Sequence, residues 1–157
     1  MTKVRYPKGM QQPNLIFNWP AIGVAIVTAF IFGGLWYGPI LGKKWAKLMG
    51  MSMEDCKPDP KGMRKMLAIQ LFGTFLTTYV LAHSVQVWRP SVWGVGADGS
   101  DAMYGFFCGL FTWLGFYIPL QLGKVAWEQR PWTLFLINTG HDFINLQILS
   151  QILAHWR

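Results

Sequence analysis

Residues 137–147 read INTGHDFINLQ, and four of them, Asn138, His141, Asp142 and Asn145, carry chemistry that an apolar stretch does not require. An imidazole and a carboxyl group can exchange protons, while amides can solvate an ion or fix the register of packed helices. If the segment is helical, each residue turns about 100°, which puts Asp142 at about +40°, Asn145 at about −20° and His141 at about −60° from Asn138. All four then share a stripe about 100° wide, with Gln147 on the opposite side. The same turn of about 100° points the neighbouring His141 and Asp142 side chains apart, so no dyad between them is expected.

The elements that must position this stripe are set by composition. The chain has 157 residues, enough for one domain over 1–157, and is 52% hydrophobic but only 13% charged. That is oilier than a soluble domain. Four stretches are long enough for a bilayer core, which needs about 20 apolar residues. They run approximately over 19–41, 66–88, 103–125 and 132–155. Tryptophans mark their ends: Trp19 and Trp36, Trp88, Trp127, then Trp132 and Trp156. Indole rings favour the headgroup layer, so the expected fold is all-α, a polytopic membrane protein with four transmembrane helices in a bundle. The first apolar run exceeds a signal-peptide core and lacks a small-residue cleavage site, so it reads as a retained helix.

A net charge of +7 raises the question of nucleic acid, and its distribution answers it. Seven of the fourteen basic residues, from Lys43 to Lys65, lie between the first two spans. Clustering beside helix ends is the pattern of positive-inside orientation, with anionic headgroups as partner and no nucleic acid. The 42–65 loop begins as a basic amphipathic helix with Trp45 and Leu48 on one side and breaks at Pro58 and Pro60. Placing it and Lys124 and Arg130 in the cytoplasm gives that side nine basic residues against five. The basic N-terminal tail (Lys3, Arg5, Lys8) opposes this assignment. Residues 89–101, rich in glycine, read as a loop without helix, either a simple connection or an ordered, partner-contacting one. Cys56 and Cys108 show no metal spacing and are not expected to pair.

Counting at about 1.5 Å per residue from the helix starts brings Asp142, Thr74, Thr77 and Tyr117 within about 5 Å of one depth, near the bilayer middle. A polar cluster between the second, third and fourth spans is therefore expected. An ionised aspartate there costs about 2.5–3.5 kcal/mol, so Asp142 either holds a proton or is solvated by the Asn, Thr and Tyr donors. Three roles fit: a structural hydrogen-bond network, a permeation or proton-coupled site, and a metal or cofactor site. The last is disfavoured, because His83 and His141 lie about 12 Å apart in depth and no H-x-x-x-H or C-x-x-C occurs. No cofactor and no enzymatic activity is expected, since neither a Ser/His/Asp nor a Cys/His arrangement is evident.

Helix packing in lipid relies on small residues. The first span carries Ala21, Ala25, Ala29 and Gly33 on one stripe and Gly34, Gly38 and Gly42 on another, and the third carries Gly105 and Gly109. Either one stripe serves the bundle and the other a second chain, or both are used internally.

The segment GGLWYGPILGKKWAKLMG at 33–50, with TWLGF at 112–116 and LINTGHDFINLQILSQILAHW at 136–156, resembles domain-of-unknown-function family 1761, small four-helix bacterial membrane proteins. The resemblance covers nearly the whole chain and implies a fold and a bacterial inner-membrane location, without an activity. In physical terms Trp36 and Tyr37 would close the first span at the interface, Pro39 would break it, and Trp45 would anchor the basic segment in the headgroups. A substrate vestibule lined by the same aromatics is the alternative. The sequence reads as a membrane accessory or interaction subunit, packed against another membrane protein or its own copy. The second reading is a small oligomeric transporter or channel with Asp142 near the path.

Overall fold

The computed structural model describes residues 13, 15–52 and 59–156. The basic tail with Lys3, Arg5 and Lys8, and Cys56, Lys57 and Pro58 of the first loop, lie outside the described residues.

Helix α1 spans Trp19–Leu35, started by the Asn18 side chain, which accepts from the Ala21 N–H at 3.0 Å, and by Pro20 in the first turn. Proline and an N-cap amide suit that position because the first N–H groups have no helical partner. The chain does not break at Pro39, as the sequence led us to expect. It widens into a π-helical turn over Trp36–Ile40, closed by the Leu41 N–H donating to Trp36 O at 2.9 Å, and only then bends into α2, Gly42–Leu48. Gly42 is required at that bend, since a Cβ there would collide with the Tyr37 carbonyl.

Helix α3 covers Pro60–Val87, beginning six residues before the expected span, because Asp59 caps the Gly62 N–H and Pro60 fills the first position. Lys61, Arg64 and Lys65 occupy its exposed first turns. A 3-10 turn at Pro90–Trp93 leads to α4, Asp101–Thr112, which runs through a second π-helical turn at Trp113–Tyr117 into α5, Ile118–Trp127. The last helix, α6, is Trp132–His155.

Three of these helical stretches, Trp19–Ile40, Pro60–Val87 and Asp101–Trp127, are long and apolar enough to cross a membrane. The fourth expected span coincides with α6, which has 24 residues but is less apolar, since it carries Asn138, His141, Asp142, Asn145, Gln147 and Gln151. Its position explains the difference. Helix α6 touches α1, α2, α3, α4 and α5, so its polar groups meet protein on most sides. Polar side chains inside apolar bundles face the interior for this reason.

Small residues make the close approach possible. Ala21, Ala25 and Ala29 are buried with Leu81, Ala82 and Val85 of α3 and Leu146, Leu149 and Leu153 of α6. On α4, a Cβ added to Gly105 would lie 3.0 Å from Gln151 Oε1, and one on Gly109 would lie 2.7 Å from Gln147 Nε2. The first α1 stripe is thus spent inside the bundle, and Gly33 lies beneath His141. Gly34 and Gly38 face outward, with nothing within 4 Å of a Cβ added at either, while Gly42 is buried in its own bend. The outer surface carries Val27, Ile31, Ile69, Phe72, Phe111 and Leu120, all exposed. An apolar surface of that extent is the kind lipid or another protein covers.

Candidate functional site

The polar stripe of α6 does form, and its neighbours differ from those expected. Asn138, His141 and Asp142 face the C-terminal end of α1 and the middle of α5. The Tyr37 hydroxyl donates to Asn138 Oδ1 at 3.2 Å, and the Gln121 amide donates to Asp142 Oδ2 at 3.3 Å. The opposite face, carrying Gln147, lies on α4, where the Gln147 amide donates to Phe106 O at 3.3 Å.

His141 and Asp142 come together, contrary to the expectation from their angular separation. Nδ1 of His141 lies 3.2 Å from Asp142 Oδ1, with both side chains 15% exposed. A step of about 100° separates the Cβ directions only, and a two-bond reach from each side closes the gap when walls on both sides leave no other space. Those walls are aromatic. Phe32 stacks on the His141 ring at 5.3 Å and 13°, and Tyr37 covers it at 4.7 Å. Nε2 of His141 points towards Gly33 and has no partner among the described residues.

The first span, not the second, therefore supplies the principal wall. The Trp36 indole N–H donates to Ile137 O at 3.2 Å. Tyr37 likewise turns inward, and Trp45 packs edge-on against it at 5.5 Å. The π-helical turn is what aims Trp36 and Tyr37 at α6, because the extra residue rotates the helix end; such turns recur at functional sites.

From α3, among the described residues, only Thr77 reaches this region, its hydroxyl 3.4 Å from Tyr117 Oη. Tyr117 and Tyr37 both lie within electrostatic reach of Asp142. Thr74 is buried but stands apart: its hydroxyl accepts from Gln70 Nε2 at 3.5 Å. Asn145 follows the stripe, and its Oδ1 has no partner among the described residues. Ser84 bonds back to Val80 O.

Two participants escaped the sequence reading. Gln121 follows Tyr117 by four residues, one helical turn, and that spacing was the signal that could have found it. Arg89 is the other, at the opposite end of the bundle. It is 1% exposed, bonds Asp101 at 2.6 Å and Ala154 O at 3.0 Å, and lies over the Tyr104 ring at 4.7 Å. The 89–101 connection is thus an ordered clasp, tightened by Asp98 accepting from the Ser91 N–H and hydroxyl at 2.9 and 2.8 Å.

At the α2 end the cluster opens outward. A groove of about 500 Å³ runs between α2, the end of α5 and the start of α6. Asn138 and Gln121 form its polar inner part, Tyr37, Trp45, Met49 and Leu134 its walls, and Lys124, Glu128 and Arg130 its rim. The vestibule alternative from the aromatic signature has this shape. A second, largely apolar groove of about 600 Å³ lies outside α3 and α4 and includes Cys108 and Phe111. Among the described residues no three His, Cys, Asp or Glu side chains gather as a metal site would require.

What this arrangement can do chemically is bounded. A carboxyl group, an imidazole, two phenols and two amides lie close together, and Asn138, Gln121 and Tyr37 of this group also line the groove. They can pass a proton between neighbours or hold a polar group, and they show no nucleophile set against a base. No curated protein and no solved structure matches the chain. The polar-striped α6, the Gly-Leu-Trp-Tyr-Gly-Pro turn and the bundle around them lie within the region, residues 20–154, that matches the family described as Protein of unknown function (DUF1761), and the chain belongs to that family.

Proposed function

We propose that the protein is a four-span integral membrane bundle of the bacterial inner membrane that takes a small polar or amphipathic solute into the groove beside α2, with the Asp142–His141 pair handling a proton at its inner end. The observation that carries this reading is the continuity of the groove with the polar cluster, through Asn138 and Gln121. A purely structural network would gain nothing from a mouth, whereas ionisable groups beside a cavity inside apolar helices commonly mark a pathway. Helix α6 serves as the fourth span on this reading, shielded by the other three. The α2 end is the cytoplasmic one, because Lys43, Lys44, Lys47, Lys61, Arg64, Lys65, Lys124 and Arg130 all belong to it. No enzymatic step is involved.

A second reading, an accessory subunit packed on another membrane protein or on its own copy, is favoured by Gly34 and Gly38. They leave a smooth strip on the outside of α1 and its π-helical turn with no internal partner among the described residues. Asp142→Asn separates the two. In proteoliposomes the transport reading expects solute-dependent proton flux to fall about tenfold or more with assembly intact, a loss of about 1.4 kcal/mol of coupling or more. Unchanged flux, or the absence of any flux in the native protein while it co-purifies with other polypeptides, would leave the accessory reading in its place.

A further inference from the structure

We infer that the groove beside α2 binds the phosphate headgroup of an anionic phospholipid, admitted sideways from the leaflet. This rests on the reading of the chain as membrane-spanning with the groove as entrance to the polar cluster, and it names the class of molecule that enters.

The charges at the rim are only partly spent on each other. Among the described residues Arg130 gives only its Nε to Glu128, at 3.3 Å, which leaves its terminal guanidinium nitrogens for a second acceptor. Lys124 is exposed and makes no ion pair among the described residues. Two cationic residues line one mouth where, among the described residues, Glu128 is the one carboxylate and is already engaged. A guanidinium fork and an ammonium lining the same groove suit a phosphodiester.

The walls identify the rest of the molecule. Trp45, Met49 and Leu134 give the groove an apolar side, which a free inorganic anion would not use and an acyl-glycerol backbone would. The groove of about 500 Å³ is of ordinary small-molecule size. Its level also fits. It lies between amphipathic α2, whose Lys43, Lys44 and Lys47 are exposed, and the short turn joining α5 to α6, where headgroups meet the helix ends.

The test uses the full chain. Alkaline carbonate extraction comes first: release from membranes would remove the membrane reading itself and this inference with it. With the chain retained, the protein is placed in nanodiscs of equal phosphatidylglycerol and phosphatidylcholine, transferred to mild detergent, and its retained lipids are counted by native mass spectrometry. The expected result is one phosphatidylglycerol held in preference to phosphatidylcholine. Retention should fall about fivefold in Lys124→Gln or Arg130→Gln and roughly thirtyfold in the double variant, from the usual contribution of each basic residue near an anionic surface. Lys43→Gln with Lys44→Gln, outside the groove, should retain the lipid. Equal retention of the two lipids by the native protein, or an equal loss in the α2 variant, would overturn the site. Full displacement by millimolar glycerol 3-phosphate would overturn the lipid source in favour of a soluble phosphate.

Discussion

Arg89 shows how much one side chain can decide. Its charge is buried against Asp101 and Asp98, at 2.6 and 3.5 Å, and it also caps the last turn of α6 through Ala154 O. Arg89→Met removes the cation and leaves two carboxylates facing each other across the clasp, which should cost about 3–5 kcal/mol. The shift would be read as a lower midpoint in detergent-denaturant unfolding. An unchanged midpoint would mean that the clasp is not part of the folding unit. The residue was invisible beforehand because an arginine preceding a proline in a connection is ordinarily solvated, and nothing local distinguishes the buried case. His141 teaches the converse lesson. Its type and position were legible from the sequence, but its partner was misjudged, since Cβ angles do not include the aromatic walls of Phe32 and Tyr37 that press the ring towards Asp142.

At the scale of elements, α6 is held by how closely the others approach it. Gly109 presses on Gln147 and Ser150, at 2.7 and 2.8 Å from an added Cβ, so Gly109→Leu must push α4 outward. Overpacking of that kind costs about 1–3 kcal/mol, and the same unfolding measurement checks it. Gly34→Leu is the contrasting case. Nothing lies within 4 Å of a Cβ there, so the bundle should unfold within about 0.5 kcal/mol of the native midpoint. If native gels nevertheless show a smaller species, the exposed glycine strip of α1 is a contact to another chain. If the species is unchanged, that strip faces lipid. The small-residue periodicity marked two stripes, of which the bundle buries Ala21, Ala25 and Ala29, and could not tell inward from outward.

For the whole molecule the arrangement makes a prediction about sides. With Cys108 and Cys56 replaced, single cysteines at Lys47 and Lys124 should react with an impermeant maleimide from one side of the membrane, and one at Ser91 from the other. Lys47 and Lys124 sit at the groove end, and Ser91 sits at the Arg89 clasp. Labelling of Lys47 and Ser91 from the same side would sink the transmembrane arrangement, and labelling of the groove end from outside would reverse the proposed orientation. Because the groove opens at that end, orientation also decides which leaflet and which compartment could supply its ligand.

The sequence by itself determined roughly where the long helices lie, that three of them are apolar enough to cross a membrane, where the basic residues gather and that Asn138, His141, Asp142 and Asn145 share one face. Those are consequences of local rules, the turn of about 100° per residue and the cost of burying polar groups, and they act on each segment alone. The tertiary structure decided what that face meets. The π-helical turn swings Trp36 and Tyr37 onto α6, Gln121 rather than Thr74 reaches the cluster, and Lys124 and Arg130 converge with Trp45 on a groove. Each pairing joins residues from different helices, 21 positions apart for Gln121 and Asp142 and 101 for Tyr37 and Asn138. No period within a single helix encodes such a separation. It is settled only when the helices choose their mutual rotation, and that choice minimises empty space and unpaired polar groups over the whole bundle at once.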